Sequence, residues 1–200
     1  MSTTPEVPDP SLTLETPRLV LRRPTRADAA RMAELANDAA IAENLSILPH
    51  PYGLDDAHAY IDNIEVSLRR INLGVYLKAE TDEFIGTVSL MPRDGERFVV
   101  GYWIGRPHWG KGYATEAVQA IVDLAFGRLG VDAVAATARV TNGSSRRVLE
   151  KCGFQFAGSG MGPSLYHRGM VPIDRFRLER SIWMSLKNWA SKRVDEARSA

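Results

Sequence analysis

The sequence predicts a mixed α/β (α+β) domain built on one central, mostly antiparallel sheet flanked by helices. Three observations carry that reading. Strand-like runs at 74–78, 84–90 and 98–104 follow one another across short turn signals, which favours antiparallel hairpins. After Gly105 the pattern becomes strand–helix–strand, which favours a parallel crossover. Finally, 200 residues with 44% apolar content suit a single domain that buries a core without disulfide or metal staples.

Residues 1–11 are rich in Pro, Ser and Thr, lack periodicity and read as a flexible arm. In Arg18-Leu19-Val20-Leu21-Arg22 the alternation puts Leu19 and Leu21 on one face of a first strand. Thr25 is a natural N-cap, with Asp28 near the positive end of the helix that follows. That helix runs to about Asn37, with Ala29, Met32, Ala33, Leu35 and Ala36 as its apolar side. A loop at 43–53 leads to Asp55 or Asp56, which opens a second helix through Tyr60, Ile61, Ile64 and Leu68. Thr81-Asp82-Glu83 suits a hairpin, and Pro92-Arg93-Asp94-Gly95 a turn. A glycine-rich stretch at 105–112 opens a helix over about 113–126, where Ala114, Ala117, Val118, Ile121, Leu124 and Ala125 repeat at the helical period. Residues 133–140 read as a strand. Asn142-Gly143-Ser144 then opens a short helix that closes at Cys152-Gly153, with Gly153 as a left-handed C-cap. Phe154-Gln155-Phe156 restarts a strand, 176–183 is the last strand, and 184–200 is a charged helical tail. Trp183, at the end of that strand, with Trp189 and Val194 on the tail, suits packing on the same domain or on a second subunit, so a homodimer stays open.

Charge and cysteine content exclude several classes. Lys+Arg number 25 and Asp+Glu 24, so the net charge of +1 argues against nucleic-acid binding by bulk charge. Cys152 is the sole cysteine, which forbids an intrachain disulfide and a thiolate zinc cage. His50, His58, His108 and His167 are scattered without ligand spacing, so no metal is expected. No apolar window is long enough for a membrane span, and the start has no signal-like apolar stretch. The expectation is a cytoplasmic protein.

The most informative segment is Ile104-Gly105-Arg106-Pro107-His108-Trp109-Gly110-Lys111-Gly112-Tyr113-Ala114. It leaves a strand and opens a helix, where free amides and the helix dipole favour an anion. Gly110 and Gly112 lack Cβ and let a phosphate approach the main chain, while Lys111 adds charge. Gly105-x-x-x-x-Gly110-Lys111 follows the P-loop pattern, but Gly112 replaces the hydroxyl residue that would hold Mg²⁺. That weakens an NTPase reading and leaves a metal-free pyrophosphate, such as that of coenzyme A, or an ordinary glycine turn.

A second segment, Asn142-Gly143-Ser144-Ser145-Arg146-Arg147 through Glu150-Lys151-Cys152-Gly153-Phe154, joins the first. With Glu15-Thr16-Pro17-Arg18-Leu19, Gly101-Tyr102-Trp103-Ile104 and Trp109 through Ala117, the chain resembles the GNAT superfamily of acetyl-CoA-dependent N-acetyltransferases. More narrowly, it is similar to the branch that acetylates ribosomal-protein N-termini. The resemblance covers about Leu14 to Trp183 and implies a domain over 12–183. It also implies a sheet splayed between strands four and five, acetyl-CoA as cosubstrate, and an amine acceptor that is a protein N-terminus or a small molecule.

The resemblance further implies site roles. Trp103, Ile104, Trp109, Gly110, Lys111, Gly112, Tyr113, Ala114, Asn142 and Arg147 would hold the coenzyme. A main-chain N–H near 103–105 would face the oxyanion. Leu149 stands where many members have a tyrosine acid; Ser145, three residues after Asn142, matches the serine that the branch uses as hydrogen donor to the leaving sulfur. Two departures bear on function. Trp109 replaces the leading Gln or Arg of the superfamily's phosphate motif, and Val99 replaces the strand-four glutamate. That leaves His50, His167, Asp174 or water as base. The departures keep a non-catalytic acyl-CoA-binding domain as the alternative. Tyr52, Tyr102 and Trp103 are aromatics for the acceptor mouth or the core. The segment 158–174, with Gly158, Gly160, Gly162 and Pro163, reads as a mobile loop in place of the branch's strand.

Overall fold

The computed structural model describes residues 11–66, 70–78, 82–93 and 97–198. Its strands are β1 (Leu14–Glu15), β2 (Leu19–Arg22), β3 (Ile71–Leu77), β4 (Phe84–Arg93), β5 (Arg97–Ile104), β6 (Ala133–Arg139), β7 (Gln155–Ser164) and β8 (Gly169–Glu179). They form one eight-stranded sheet in the order β1-β2-β3-β4-β5-β6-β8-β7. Every neighbouring pair is antiparallel except β5 with β6. The helices are α1 (Ala29–Ala36), α2 (Ala39–Ala42), α3 (Leu54–Val66), α4 (Tyr113–Gly127), α5 (Gly143–Lys151) and α6 (Arg180–Arg198).

Strand alternation divides the core between the two faces of the sheet. Leu19, Leu21, Leu73, Ile85, Val88 and Leu90 face α4, where Val118, Ile121, Val122 and Phe126 are buried. Tyr76 and Phe84 face the other way, onto Met32 and Leu35 of α1 and Ala57 and Ile61 of α3. Each large side chain buried this way contributes roughly 1.5–3 kcal/mol. Thr25 caps a 3-10 turn at Arg26–Asp28 that leads into α1, not α1 itself: the Asp28 carboxylate accepts from its N–H at 2.7 Å and its hydroxyl at 3.0 Å.

The sheet opens between β5 and β6. Their ladder runs only through Phe98–Val134, Val99–Ala135 and Val100–Ala136. Beyond it β5 stays with β4 to Ile104, and β6 stays with β8 to Arg139. Gly101 to Ile104 thus keep one bonded side and one open side. This is the splay that the resemblance implies between the fourth and fifth strands.

The last third of the chain differs from expectation at two places. Residues 158–174 are no loop: β7 and β8 form a regular hairpin, with Gly160 opposite Ile173 and Gly162 opposite Val171. The glycines make room. A Cβ on Gly160 would stand 2.6 Å from the Arg175 guanidinium, and one on Gly162 would stand 2.9 Å from Ile173 Cδ1. Gly158, at φ 115°, takes up a bulge between Phe156 and Ser159. The last strand also ends at Glu179, and 180–183 is already helix. Arg180 turns the chain by donating to the carbonyls of Phe126 at 2.8 Å and Val131 at 3.1 Å. Trp183 therefore lies on α6 and packs on its own domain, its indole N–H on Asp123 at 2.7 Å and its ring 5.3 Å from Phe126. β1 and α2 are too short to leave a periodic signal. The expected arm up to residue 10, the helix end at Leu68, the turn residues Thr81, Asp94 and Gly95, and the last two tail residues lie outside the described residues.

Candidate active site

The glycine-rich segment forms a cradle at the top of β5. Gly105 N–H closes the ladder on Ile85 O at 2.8 Å, and a short 3-10 turn follows at Arg106–His108. The Trp109 indole then folds back to donate to Ile104 O at 2.5 Å. Gly110 and Gly112 take φ of 74° and 83°, the left-handed region that a side chain resists. Nothing lies within 4 Å of where a Cβ on Gly110 would sit. From Gly110 to Thr115 the main-chain N–H groups find no acceptor among the described residues, and the first helical bond is Glu116 N–H to Gly112 O at 3.1 Å. These are the free donors of a helix start, gathered where the chain is bare. The cradle fits a diphosphate. Lys111 and Arg147 are exposed, with no carboxylate within 4 Å among the described residues; Arg147 reaches only Ser144 Oγ, at 3.4 Å.

A brace that the sequence reading missed holds this loop. Arg18 donates through Nε to Glu116 Oε2 at 2.7 Å, through its main chain to Oε1 at 2.9 Å, and through Nη1 to Lys111 O at 2.9 Å. Thr16 Oγ1 adds a bond to Glu116 Oε1 at 2.6 Å. Burial alone would raise the Glu116 pKa. The hydrogen bonds from Thr16 and Arg18 outweigh it and hold the carboxyl below its usual range. The carboxylate beside the cradle is thereby neutralised rather than left to repel an anion. Thr16, Arg18 and Glu116 all sit within motifs already singled out, but only their side-chain meeting shows the role.

His108 ends the 3-10 turn of this loop. It is buried, with neither ring nitrogen hydrogen-bonded among the described residues and Nε2 3.7 Å from Glu83. Burial pushes its pKa down; Glu83 opposes this, while Lys111 and Arg31 add to it.

The second segment faces the open side of β5. Asn142 Oδ1 accepts from Ser145 N–H at 3.0 Å and caps α5. Ser145 Oγ lies 2.9 Å from the Tyr102 hydroxyl, which also donates to Ser145 O at 3.2 Å. Burial raises Tyr102 far above the ordinary phenol range, and the Ser145 hydrogen bond opposes this only in part. Trp103 points to the other face, its ring 6.0 Å from Phe84, so its side chain is not brought to Ser145. Strand alternation turns the Trp103 amide toward β4, as with Gly105, and leaves the Tyr102 and Ile104 N–H groups toward the splay. Leu149 is fully buried. Burial pushes the Cys152 thiol up to about 12.

The candidate bases are less well placed. Asp174 is buried but engaged, accepting from Ser159 Oγ at 2.7 Å and pairing with Arg146 at 3.4 Å. His50 and His167 flank Tyr166, at 5.8 and 5.0 Å between ring centres, on the exposed turn of the β7–β8 hairpin. That turn meets the 43–53 loop through Leu165 N–H to Ser46 O at 3.1 Å. Tyr52 belongs to the α1–α3 core rather than to an open mouth. Among the described residues no three His, Cys, Asp or Glu side chains gather as a metal cage, and no helix is long and apolar enough to cross a membrane.

Residues 18–155 match the family model of the acetyltransferase (GNAT) domain. The chain belongs to the GNAT acetyltransferase family. It is therefore an acetyl-CoA-dependent acetyltransferase. It is 33% identical over 150 residues to the uncharacterised N-acetyltransferase p20 of Bacillus licheniformis, across 73% of this chain and 84% of that one. Its fold matches the GNAT-family acetyltransferase of Bacillus anthracis at a TM-score of 0.75 and 20% identity, over 85% of this chain and 99% of that one. It also matches RimL, a ribosomal α-N-protein acetyltransferase in complex with coenzyme A, at 0.71 and 16% identity, over 82% and 95%.

Proposed function

We propose that the chain acetylates a primary amine, either a protein N-terminus or a small molecule, in the cytoplasm, by direct attack within a ternary complex. The observation that carries this is the run of unengaged amides from Gly110 to Thr115 beside the open side of β5, with Ser145 set across the gap. The cradle amides, with Lys111 and Arg147, hold the diphosphate. The Ile104 N–H faces the oxyanion of the tetrahedral intermediate. Ser145 donates to the departing sulfur, whose thiolate is a weak base comparable to cysteine at roughly 8.5.

The attacking amine must be neutral. An α-amino group at about 8 loses its proton far more readily than lysine at about 10.4, so water suffices as base. That favours a protein N-terminus, as does the engagement of Asp174 with Arg146 and Ser159. RimL's name points the same way.

The test mixes protein and acetyl-CoA with peptides beginning in Ala or Ser, polyamines and aminoglycosides, and follows free thiol release. Release raised by a peptide and not by its N-terminally blocked form is the expected result. Retained stabilisation by acetyl-CoA with no release for any amine overturns the proposal.

A further inference from the structure

We infer that the uncovered face of β6 and β8 docks the acceptor, an acidic N-terminal segment of a polypeptide, held by Arg139, Arg175 and Arg177. The inference rests on the reading of the chain as an N-terminal acetyltransferase and names its substrate class.

The two faces of the sheet set up this surface. Val134, Ala136 and Ala138 of β6 and Phe176 and Leu178 of β8 point into the core shared with α4 and α5. Alternation sends Thr137 and Arg139 of β6, and Arg175 and Arg177 of β8, to the opposite face. The α1–α3 core draws only on β2 to β5 there, through Val20, Tyr76, Phe84 and Trp103. Thr137 and Arg175 are exposed in consequence. The cradle and Ser145 belong to α4 and α5, so the coenzyme enters from their side of the sheet. An amine then meets the thioester through the splay from the other side, where the arginines stand. Arg139 flanks the splay itself: Asn142 N–H, in the turn that leads to Ser145, donates to its carbonyl at 2.8 Å.

Charge selects the partner. In the first half of the chain Arg22, Arg26 and Arg31 each pair with acids. On this face Arg139 and Arg175 have no carboxylate within 4 Å among the described residues, and Arg177 has Glu179. Arg139 donates through Nη1 to Glu43 O at 2.9 Å, while its Nε is buried without a partner. A guanidinium held partly out of water, with one carbonyl to offset it, draws a carboxylate more strongly than a solvated one does. Arg175 is set in place by an absence: a Cβ on Gly160 would stand 2.6 Å from its guanidinium.

Spacing favours an extended chain. Arg139 pairs with Ile173, two residues before Arg175, so the three cations succeed one another at roughly 6.5 Å per step. An extended peptide presents alternate side chains at that same interval. Acids at alternate positions within about the first six residues meet all three arginines while the amine lies in the splay.

The test uses the full chain saturated with coenzyme A and peptides that begin in Ser and carry Glu, Gln or Lys at the second, fourth and sixth positions. Anisotropy of a C-terminal dye reads binding, and thiol release from acetyl-CoA reads turnover of the untagged peptides. The Glu peptide should bind about tenfold tighter than the Gln peptide and the Lys peptide weakest, with the ratio falling under threefold at about 0.5 M salt. Arg175→Glu should bring the Glu and Gln peptides level. Gly160→Ala, which keeps every charge and displaces the guanidinium, should lower their ratio about threefold.

Glu and Gln peptides that bind within twofold of each other, or a ratio unmoved by Arg175→Glu, overturn the inference; it falls alone when thiol release shows a peptide acetylated. Tight binding of the Glu peptide with no thiol release overturns the acetyl-transfer reading and keeps the surface. A single-stranded RNA that displaces the Glu peptide at lower concentration than unlabelled Glu peptide does makes this a nucleic-acid surface and overturns the inference.

Discussion

The two walls of the cleft are built in opposite ways. The donor wall, along the cradle and the start of α5, presents main-chain amides whose turns are set by residues close in sequence, with Thr16 and Arg18 bracing the loop from afar. The facing wall joins the 43–53 loop to the β7–β8 turn through Leu165 with Ser46, and to the end of β6 through Arg139 with Glu43. It presents side chains from segments far apart. A main-chain wall serves any sequence that keeps its turns, whereas a side-chain wall can be rewritten for each acceptor. The division explains why the donor is readable here and the acceptor is not.

The contrast is sharpest at Gly112. A valine there must hold φ near 83° and meet the Arg18 guanidinium 3.3 Å from its Cβ. Calorimetry of acetyl-CoA with Gly112→Val should show a loss of about 100-fold, in line with strain of a few kcal/mol. A loss under threefold would break the claim that main-chain geometry makes this wall.

Ser145→Ala comes next. Its kcat should drop about 100-fold with the KM for acetyl-CoA unchanged, at the lower end of the range for a lost acid. A change confined to KM would make Ser145 a binding group.

Arg18→Ala should raise the KM for acetyl-CoA about tenfold, because it uncovers Glu116 beside the anion. Glu116→Gln in that background should recover part of the loss. The same pair carries a pH signature. A carboxyl held low when folded contributes stability above its unfolded pKa of about 4.3, and that stability is lost as pH falls through the lower folded value. Acid melting curves of Glu116→Gln should be flatter over that window.

His108, also depressed, contributes above about 6.5 and loses that contribution as pH falls through its folded value. Wild-type Tm should drop by roughly 2–4 °C across that interval, and His108→Gln should remove the drop.

The smallest expected effect on the donor lies across the cleft. Tyr166→Ala should leave acetyl-CoA affinity within about twofold while changing the KM for the amine, measured on whichever peptide the screen returns. A larger effect on the coenzyme would erase the distinction between the walls.

What could be read in advance follows the same division. The cradle, the Asn142 cap and Gly153, at φ 88°, were legible because local stereochemistry dictates them. The splay was legible only through resemblance, since no local pattern says where two strands part. Arg18 and Glu116 lie 98 residues apart, and a charge pair leaves no periodicity. Gly160 and Gly162 were misread because glycine in isolation signals a loop. Here Arg175 and Ile173 occupy the space that a side chain would need. Trp183 seemed to continue the alternation of β8 because nothing local reports the carbonyls of Phe126 and Val131 that capture Arg180.

The brace on the donor loop begins at Thr16, before the first four-residue strand of the sheet. Anyone shortening this chain for expression would naturally cut at Leu19, where the first strand longer than two residues starts. Such a fragment would lose β1 and the buried Leu12 but keep the ladder from β2 to β8, yet arrive with the glycine-rich cradle untethered. A sound boundary is set by that tether, not by the edge of the folded mass.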